Sequence, residues 1–418
     1  MLKKNQNIIE LIVLFLSMLI ISNYLSLLIV FNSFLIKFHL FSFCLIFFFF
    51  IFYKKFSFIH LKITFIVLII LLLGNATVAW DGWAVWTFKA KRIYFDQSLF
   101  GALKDNYAIF QHNDYPLLAP SFAASFAVFF DSWNEIFPKI GFLFIAFPPL
   151  IMSLKIFNNN RLNFIFVCIS LYIINSYFIN GYLDGLISIY FVFCAYLLFN
   201  IFIELEIDNL KVLNLFFFLM ILSLLKNEGL VIILTLFFSI MLLNFLDRKF
   251  FSNIKLKMFM LLSLVPILYW RYLTFKNNIV PYHFQENIAA RIGTAENNVT
   301  TNAYQYFFDR LLSIDTYRIF FGYLITSYSL ILSIIFFSIS CYIFKNKKIT
   351  LYVISITLIY IVCYLTVSMM ASMDYQWGLS AGIHRVLFMP LSYLFIFFCL
   401  YQYYKDRISI RRQQKQNS

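Results

Sequence analysis

The chain has 418 residues, of which 62% are hydrophobic, 21% aromatic and only 12% charged, and its formal net charge is +14 at pH 7. This composition excludes an ordinary soluble domain, in which about a quarter of the residues are charged. It also gives no indication of a nucleic-acid partner, because the basic residues fall mostly in short segments between apolar runs. We therefore expect a membrane protein whose basic segments set its orientation and contact anionic lipids.

Apolar runs of about 18–24 residues recur from Ile8 almost to the C-terminus. As a helix with a rise of 1.5 Å per residue, each run can cross a hydrocarbon core of about 30 Å. Helices are expected because backbone polar groups in lipid must be satisfied within their own segment, and no alternating barrel pattern is present. The sequence predicts an all-α polytopic membrane protein with a single integral domain, residues 1–418.

The first three spans are expected at residues 8–31, 34–52 and 59–79. Lys3 and Lys4 precede the first span, and Lys54 and Lys55 follow the second. Because basic residues favour the cytoplasmic side, these lysines place the N-terminus in the cytoplasm. The segment that follows the third span, WDGWAVWTFKAKRIYFD, is then expected on the outer face.

Two apolar pieces follow, residues 117–130 and 136–153. The first is too short to span, and the later basic loops all lie in the cytoplasm only if this region makes one crossing. We therefore expect 117–130 to form a short re-entrant or interfacial helix on the outer side. Eight further spans, about twelve in total, are expected at 161–179, 185–203, 211–225, 229–246, 256–275, 317–344, 350–370 and 385–404, before a basic cytoplasmic tail at 405–418.

Asp81 directly follows the third span and lies in a stretch with Trp80, Trp83 and Trp86. Tryptophans at a membrane boundary are ordinary belt residues, so the carboxylate is the informative group. A carboxylate among aromatic rings can act as a general base on a hydroxyl or amine that arrives from water. Asp81 is therefore a candidate catalytic residue.

Cations follow this acid on the predicted outer side. Lys89, Lys91 and Arg92 lie eight to eleven residues after Asp81 and are candidates for holding a phosphate; the alternative is a solvated loop. Arg385 opens the last span at its outer end, where neither the positive-inside rule nor the helix dipole favours a cation. Its guanidinium offers planar donors to phosphate oxygens, although snorkelling to headgroups is the alternative.

The segment QHNDYPLLAP places His112, Asp114 and Tyr115 immediately before the predicted short helix. Pro116 suits the start of a helix. Asp114 is predicted to be a second outer-face acid across a cleft from Asp81, and it is also a candidate N-cap of the helix. His112 and Asp114 are possible metal ligands, but the sequence has no further ligand cluster, so we expect no metal or other cofactor.

Lys226 and Glu228 lie between two short apolar pieces, 211–225 and 229–246, at a helical hairpin whose halves barely cross. Ionisable groups near membrane depth generally face a partner, a cavity or a substrate, and a mutual ion pair that closes the turn is the alternative. Asp184, in the segment NGYLD, and His384 are expected on the same face. With His112, Tyr115 and Glu228, they are candidate substrate-binding residues.

Together, WDGWAVWTFKAK, HNDYPLLAP, LLKNEGL and HRVLFMP resemble, in order and approximate spacing, the bacterial multi-pass membrane glycosyltransferases of the GT-C fold, near the dolichyl-phosphate-mannose protein mannosyltransferase and lipid A aminoarabinose transferase branch. The resemblance covers about residues 59–400. It implies a lipid-phosphate sugar donor, used on the extracytoplasmic side with inversion at the anomeric carbon. The family's motif residues would be Asp81, Tyr115, Pro116, Leu117, Lys226 and Arg385.

The chain departs from the family pattern in two respects. Two additional spans, within residues 1–56, precede the GT-C-like core at 57–404. The acidic pair often found adjacent in the first loop is here Asp81 and Gly82, which leaves Asp114 as the candidate second acid.

The sequence thus predicts an inverting glycosyltransferase of a bacterial inner membrane, with its active site on the extracytoplasmic side. A sugar would move from a polyprenyl-phosphate donor to a glycolipid, polysaccharide or protein acceptor. Asp81 or Asp114 would be the base, and the donor phosphate would contact Arg385, Lys226, Lys89 and Arg92.

Three other functions are consistent with the sequence. A carrier or flippase for a lipid-linked or anionic solute is the main alternative, although carriers tend to place ionisable residues at the bilayer midplane and often have repeated halves. A polysaccharide polymerase or ligase that releases a diphosphate would use arginines of a large outer loop, such as Arg291 and Arg310 in the segment 276–316. A membrane scaffold would not explain the clustered acids.

Overall fold

The computed structural model describes residues 2–52, 66–67, 69–70, 74, 81–100, 112–157, 159–178, 181–206, 208–247, 254–279, 303–370, 379–380 and 382–416. These residues form helices and connecting turns, with no strand among them. The helical class predicted from the sequence is therefore confirmed.

The α-helices are α1 (Leu2–Ile29), α2 (Ser33–Phe52), α3 (Phe88–Asp96), α4 (Leu118–Phe129), α5 (Phe137–Ile156), α6 (Asn160–Phe178), α7 (Asp184–Leu198), α8 (Asn209–Leu225), α9 (Asn227–Asp247), α10 (Ile254–Leu262), α11 (Val265–Lys276), α12 (Ala303–Leu311), α13 (Ile314–Thr326), α14 (Tyr328–Phe344), α15 (Lys347–Met370) and α16 (Met389–Gln416). Wider π-helical turns precede α3 (Asp81–Thr87), follow α7 (Phe199–Ile203) and precede α16 (Ile383–Phe388).

Seven helical stretches in the described part of the chain are long and apolar enough to cross a membrane, or eight if one bent pair counts as a single span. They are Asn7–Ile29, Ser33–Phe52, Pro138–Ile156, Asp184–Ile203, Met258–Lys276, Lys347–Met370 and Ile383–Ile410. These helices are consistent with a multi-pass membrane protein. The span predicted at 59–79 lies almost entirely outside the described residues, so twelve crossings stay a prediction.

The segment predicted as a span at 317–344 consists of two helices, α13 and α14, between which the chain bends by 73°. Such a pair is a broken span or a re-entrant loop, so a crossing here stays a prediction. The bend is at Ser327, whose backbone leaves the helical conformation with ψ 79°. Just before it, the Thr326 hydroxyl donates to the carbonyl oxygens of Gly322 and Tyr323. Such bonds back to the preceding turn slightly destabilise a helix and often accompany a bend.

The two N-terminal helices, α1 and α2, pack directly on α4 and α5. Asn23 of α1 donates to the Ser125 hydroxyl of α4 at 2.8 Å. Phe43 of α2 contacts Phe122 of α4 edge-on and stacks on Phe144 of α5, with ring centroids 5.5 and 5.3 Å apart. The predicted additional spans are therefore integral to the packing of α4, the helix that begins just after Asp114 and Tyr115.

The hairpin between α8 and α9 is held tightly closed. A Cβ atom built on Gly229, in the first turn of α9, would lie 1.9 Å from the carbonyl oxygen of Leu222 in α8. No side chain larger than hydrogen fits at this approach. The hairpin therefore fixes the position of Lys226, the residue between the two helices.

Candidate functional site

Arg385 and Asp81, 304 residues apart in sequence, form an ion pair in which Nη1 donates to Oδ2 at 2.7 Å. Each residue lies in a π-helical turn at the N-terminal side of a helix. Such turns are uncommon and occur often at functional sites. The Arg385 guanidinium also lies over the ring of Tyr182, with Cζ 4.8 Å from the centroid. Both side chains of the pair are about one fifth exposed, so a ligand can reach them.

The ion pair continues into a row of alternating charges. Arg385 Nη1 lies 3.8 Å from Asp184 Oδ2, and Asp184 Oδ1 accepts from Lys226 Nζ at 3.0 Å. Lys226 Nζ is also 3.0 Å from Glu228 Oε1. We call Asp81, Arg385, Asp184, Lys226 and Glu228 the charge row. It joins five of the candidate site residues that the sequence singled out.

Lys226 is nearly inaccessible, with a side chain only 3% exposed. Burial opposes its charged form, but Asp184 and Glu228 on either side raise the pKa of its ammonium above the ordinary value. Lys226 is therefore a fixed cation at neutral pH. The mutual ion pair with Glu228, the alternative that the sequence left open, is present together with the longer row.

Tyr115 lies beside the end of the charge row. Its hydroxyl is 3.4 Å from Glu228 Oε1, and Lys226 Nζ lies 5.6 Å from the ring centroid. The ring stacks between Trp86 and His112, with centroids 5.7 and 4.6 Å away. Burial raises the pKa of the phenol, and Glu228 and further carboxylates add to the shift, so Tyr115 remains a hydrogen-bond donor.

Asp114 is held by groups from two other segments. Its Oδ2 accepts from Asn227 Nδ2 at 2.5 Å, and its backbone carbonyl accepts from Trp270 Nε1 at 3.0 Å and from Arg271 Nη1 at 3.4 Å. Arg271 Nη2 in turn donates to Asn227 Oδ1 at 2.5 Å. The N-cap of α4 is Leu117, without a side-chain bond, so the predicted capping by Asp114 is wrong. The Asp114 carboxylate faces the α8–α9 hairpin instead.

Within the part of the chain that the structure describes, three buried carboxylate oxygens at this site have no hydrogen-bond partner: Asp114 Oδ1, Asp184 Oδ2 and Glu228 Oε2. Buried acceptors in folded proteins normally have a donor. The arrangement is therefore suited to a molecule that supplies hydroxyl donors.

Lys89 contacts the backbone of His112, the residue whose ring stacks on Tyr115. The Lys89 side chain is fully buried, and its Nζ donates to the His112 carbonyl oxygen at 2.6 Å. Burial lowers the pKa of Lys89 to about 7, while the Asp114 charge acts in the opposite direction. The ammonium thus contacts the backbone here, and the contact with a phosphate that the sequence predicted stays a prediction.

Arg92 and His384 contact other parts of the chain. Arg92 pairs with Asp96 at 3.0 Å along the same helix. The His384 ring meets Tyr323 and Phe388 edge-on, with centroids 5.5 and 5.4 Å away. Their predicted roles in phosphate and substrate binding stay predictions. Among the residues that the structure describes, no three His, Cys, Asp or Glu side chains are grouped to hold a metal ion.

Several site residues were missed in the sequence. Arg271 lies within the apolar run VPILYWRYLTFK, where an ionisable residue is itself a signal that could have identified it. Asn227 and Tyr182 lie inside the segments KNE and NGYLD, beside residues that were selected. Trp270 has no comparable signal, because a tryptophan in an apolar helix is ordinary.

No family model, curated protein or solved structure matches this chain. The resemblance to the GT-C glycosyltransferases therefore depends on the four sequence segments. The same four segments supply Asp81, Asp114, Tyr115, Lys226, Glu228 and Arg385, which meet at one site.

Proposed function

We propose that this chain is an inverting glycosyltransferase of the GT-C type that uses a polyprenyl-phosphate sugar as donor. The observation that carries the proposal is the charge row, in which a partly exposed acid, Asp81, is paired with the more exposed of the two cations, Arg385. A transferase of this kind requires a base for the acceptor hydroxyl and cations for the departing phosphate. Both are present side by side.

In the proposed reaction, the donor phosphate binds Arg385 and draws its guanidinium away from Asp81. Asp81 is then free to take the proton of the acceptor hydroxyl, whose oxygen forms the new bond to the anomeric carbon. The bond from that carbon to the phosphate oxygen breaks on the opposite side, and its electron pair remains on the phosphate. Lys226 stabilises this charge from within the row, and no further reactant is needed.

The sugar is proposed to bind against the acids deeper in the site. Asp114 Oδ1, Asp184 Oδ2 and Glu228 Oε2 are acceptors without donors, which ring hydroxyls would supply. Asn227 fixes the Asp114 carboxylate at 2.5 Å, which favours a binding role for Asp114 over that of the base. The acceptor is an envelope glycolipid, polysaccharide or protein.

The membrane arrangement in this proposal has about twelve crossings in a bacterial inner membrane. The site lies on the extracytoplasmic side, and α4 is a re-entrant or interfacial helix. The apolar sequence of α4 and its length of 12 residues, too short to span, support this placement.

A carrier for a lipid-linked or anionic solute is the second candidate, and one observation favours it. Both cations of the charge row, Arg385 and Lys226, have a carboxylate partner. Ionisable residues that line the pathway of a carrier typically pair with one another in this way. A carrier would move the donor lipid between leaflets without consuming it.

Consumption and movement of the donor can be measured in the same vesicles. Purified protein would be reconstituted with a radiolabelled polyprenyl-phosphate sugar and cell-envelope extract as the source of acceptor. The proposal predicts loss of donor label with wild type and no loss with Asp81→Asn. Asp131→Asn is the matched control, because Asp131 pairs with Lys37 in an exposed position. Transport across the bilayer with all label still on the donor would instead support the carrier.

A further inference from the structure

Lys89 is one of the largest fully buried side chains of the protein, and the proposed reaction does not use it. It lies in α3, with Nζ 2.6 Å from the His112 carbonyl oxygen and 5.9 Å from the centroid of the Trp86 ring. A buried lysine without a carboxylate on its nitrogen is unusual, because an ammonium in a protein interior normally has a charged partner. Among the residues that the structure describes, the only hydrogen-bond acceptor of Lys89 Nζ is the backbone oxygen of His112.

The backbone at that acceptor is under conformational strain. His112 has a φ of 45°, in the left-handed region that residues with a side chain rarely adopt. Its carbonyl oxygen also accepts the backbone N–H of Tyr115 at 2.9 Å. One oxygen is therefore held from two sides, by Lys89 and by Tyr115. The turn from His112 to Tyr115 sets the direction of both the Asp114 carboxylate and the Tyr115 ring.

The ionisable groups around Lys89 are few in the described chain. The π-helical turn before α3 carries Asp81, the turn before α4 carries His112 and Asp114, and α3 itself carries Lys91 and Arg92. Helix α4, which packs on α3, has no ionisable residue. Burial therefore dominates, and it lowers the pKa of Lys89 from 10.5 to about 7. The buried position favours the neutral amine, so a gained proton favours conformations in which Lys89 reaches water.

We propose that Lys89 is a positioning residue for the proposed transfer: the hydrogen bond from its Nζ to the His112 carbonyl oxygen fixes the turn that presents Asp114 and Tyr115, and protonation of Lys89 loosens this turn. The consequence for catalysis rests on the proposed function. The effect of Lys89 on the conformation of the turn does not depend on that function, so it can be tested without a substrate.

The test is hydrogen exchange of peptides that contain Tyr115, measured by mass spectrometry on the full chain in lipid nanodiscs. Rates are corrected for the intrinsic effect of pH. In wild type, the protection of the Tyr115 amide is expected to fall about tenfold between pH 8 and pH 6. The reason is that the pKa of Lys89 is about 7 when its side chain is buried and 10.5, the ordinary value, when it reaches water. Lys89→Gln keeps a donor but cannot titrate, so its protection should be equal at the two pH values.

Two further variants complete the test. Lys89→Met removes the donor and should lower protection at pH 8. Lys91→Met is the matched control, because Lys91 is half exposed on the same helix and lies 3.8 Å from Glu135; it should follow wild type. Protection that does not change with pH in wild type, or that changes equally in Lys89→Gln, would overturn the proposal. Neither result depends on whether the protein transfers sugar.

Discussion

Lys226 and Asp184 form the most deeply buried contact of the charge row, at 3.0 Å with both side chains 3% exposed. Taking two charges out of water is unfavourable, and their attraction offsets this only while both partners are present. The pair joins the α8–α9 hairpin to the start of α7. It therefore connects the stability of the bundle to the geometry of the site.

Removing one partner of this pair should destabilise the protein strongly. Lys226→Met removes the cation that lies 3.0 Å from both Asp184 and Glu228 and leaves Asp184 only the more distant Arg385, at 3.8 Å. We expect a loss of about 3–5 kcal/mol in the free energy of unfolding. Combining Lys226→Met with Asp184→Asn should recover part of that loss, because the uncompensated charge is removed. Thermal unfolding in mild detergent measures both. Lys37→Met is the control, since its exposed pair with Asp131 should contribute less than about 1 kcal/mol. Equal small shifts for Lys226→Met and Lys37→Met would show that the buried pair is not needed.

Gly229→Ala should open the α8–α9 hairpin. The added methyl group would lie 1.9 Å from the Leu222 carbonyl oxygen, a contact that only backbone movement can relieve. We expect destabilisation of about 1–3 kcal/mol or more, with a loss of activity because Lys226 moves. Gly322→Ala in α13 is the matched control, because nothing lies within 4 Å of its added atom. It should be neutral or stabilising by up to about 1 kcal/mol. A stable, active Gly229→Ala protein would rule out the tight hairpin.

Asn227→Asp should turn an attraction at Asp114 into repulsion. The Asn227 amide now donates to Asp114 Oδ2 and accepts from Arg271, and a carboxylate would place two acids about 2.5 Å apart. We expect turnover to fall about 10- to 100-fold at neutral pH and to recover partly at acidic pH, where the two carboxyl groups share a proton. A pH profile of donor consumption tests this. Asn32→Asp is the control, because its oxygen only accepts backbone N–H bonds. A neutral-pH rate equal to wild type would contradict the role of Asn227.

The sequence indicated which residues are unusual but not how they pair. Lys226 and Glu228 stand out because charges near membrane depth are unfavourable without a partner. Asp81 stands out as an acid among tryptophans, and Arg385 as a cation at the outer end of a span. The pairing of Lys226 with Glu228 was also foreseeable, because the two residues are close in sequence. The pairing of Asp81 with Arg385 spans 304 positions and depends on tertiary packing, which periodicity and composition do not encode.

Other features depend on local chemistry that hydropathy does not weigh. The bend at Ser327 occurs within an apolar run that reads as one span, and the hydroxyl of the preceding Thr326 donates back to the carbonyl oxygens of Gly322 and Tyr323. Asp114 has the residue type and position expected of an N-cap. Its carboxylate instead accepts a hydrogen bond from the Asn227 amide, and the N-cap of α4 is Leu117. At Ser327 and at Asp114, side-chain hydrogen bonds accompany a structure that differs from the one predicted from hydropathy or residue type.

In the proposed reaction, Asp81 and Arg385 perform different steps on one donor. The most direct test measures donor affinity and the single-turnover rate separately, on the same preparations of wild type, Asp81→Asn and Arg385→Ala. We expect Asp81→Asn to bind the donor at least as tightly as wild type, because the phosphate no longer competes with a carboxylate for Arg385. The same variant should lose about 10²- to 10⁴-fold in rate, as for a general base. Arg385→Ala should weaken binding about 10- to 100-fold, as for a charged hydrogen bond to phosphate. A single-turnover rate that is unchanged in Asp81→Asn would contradict the account.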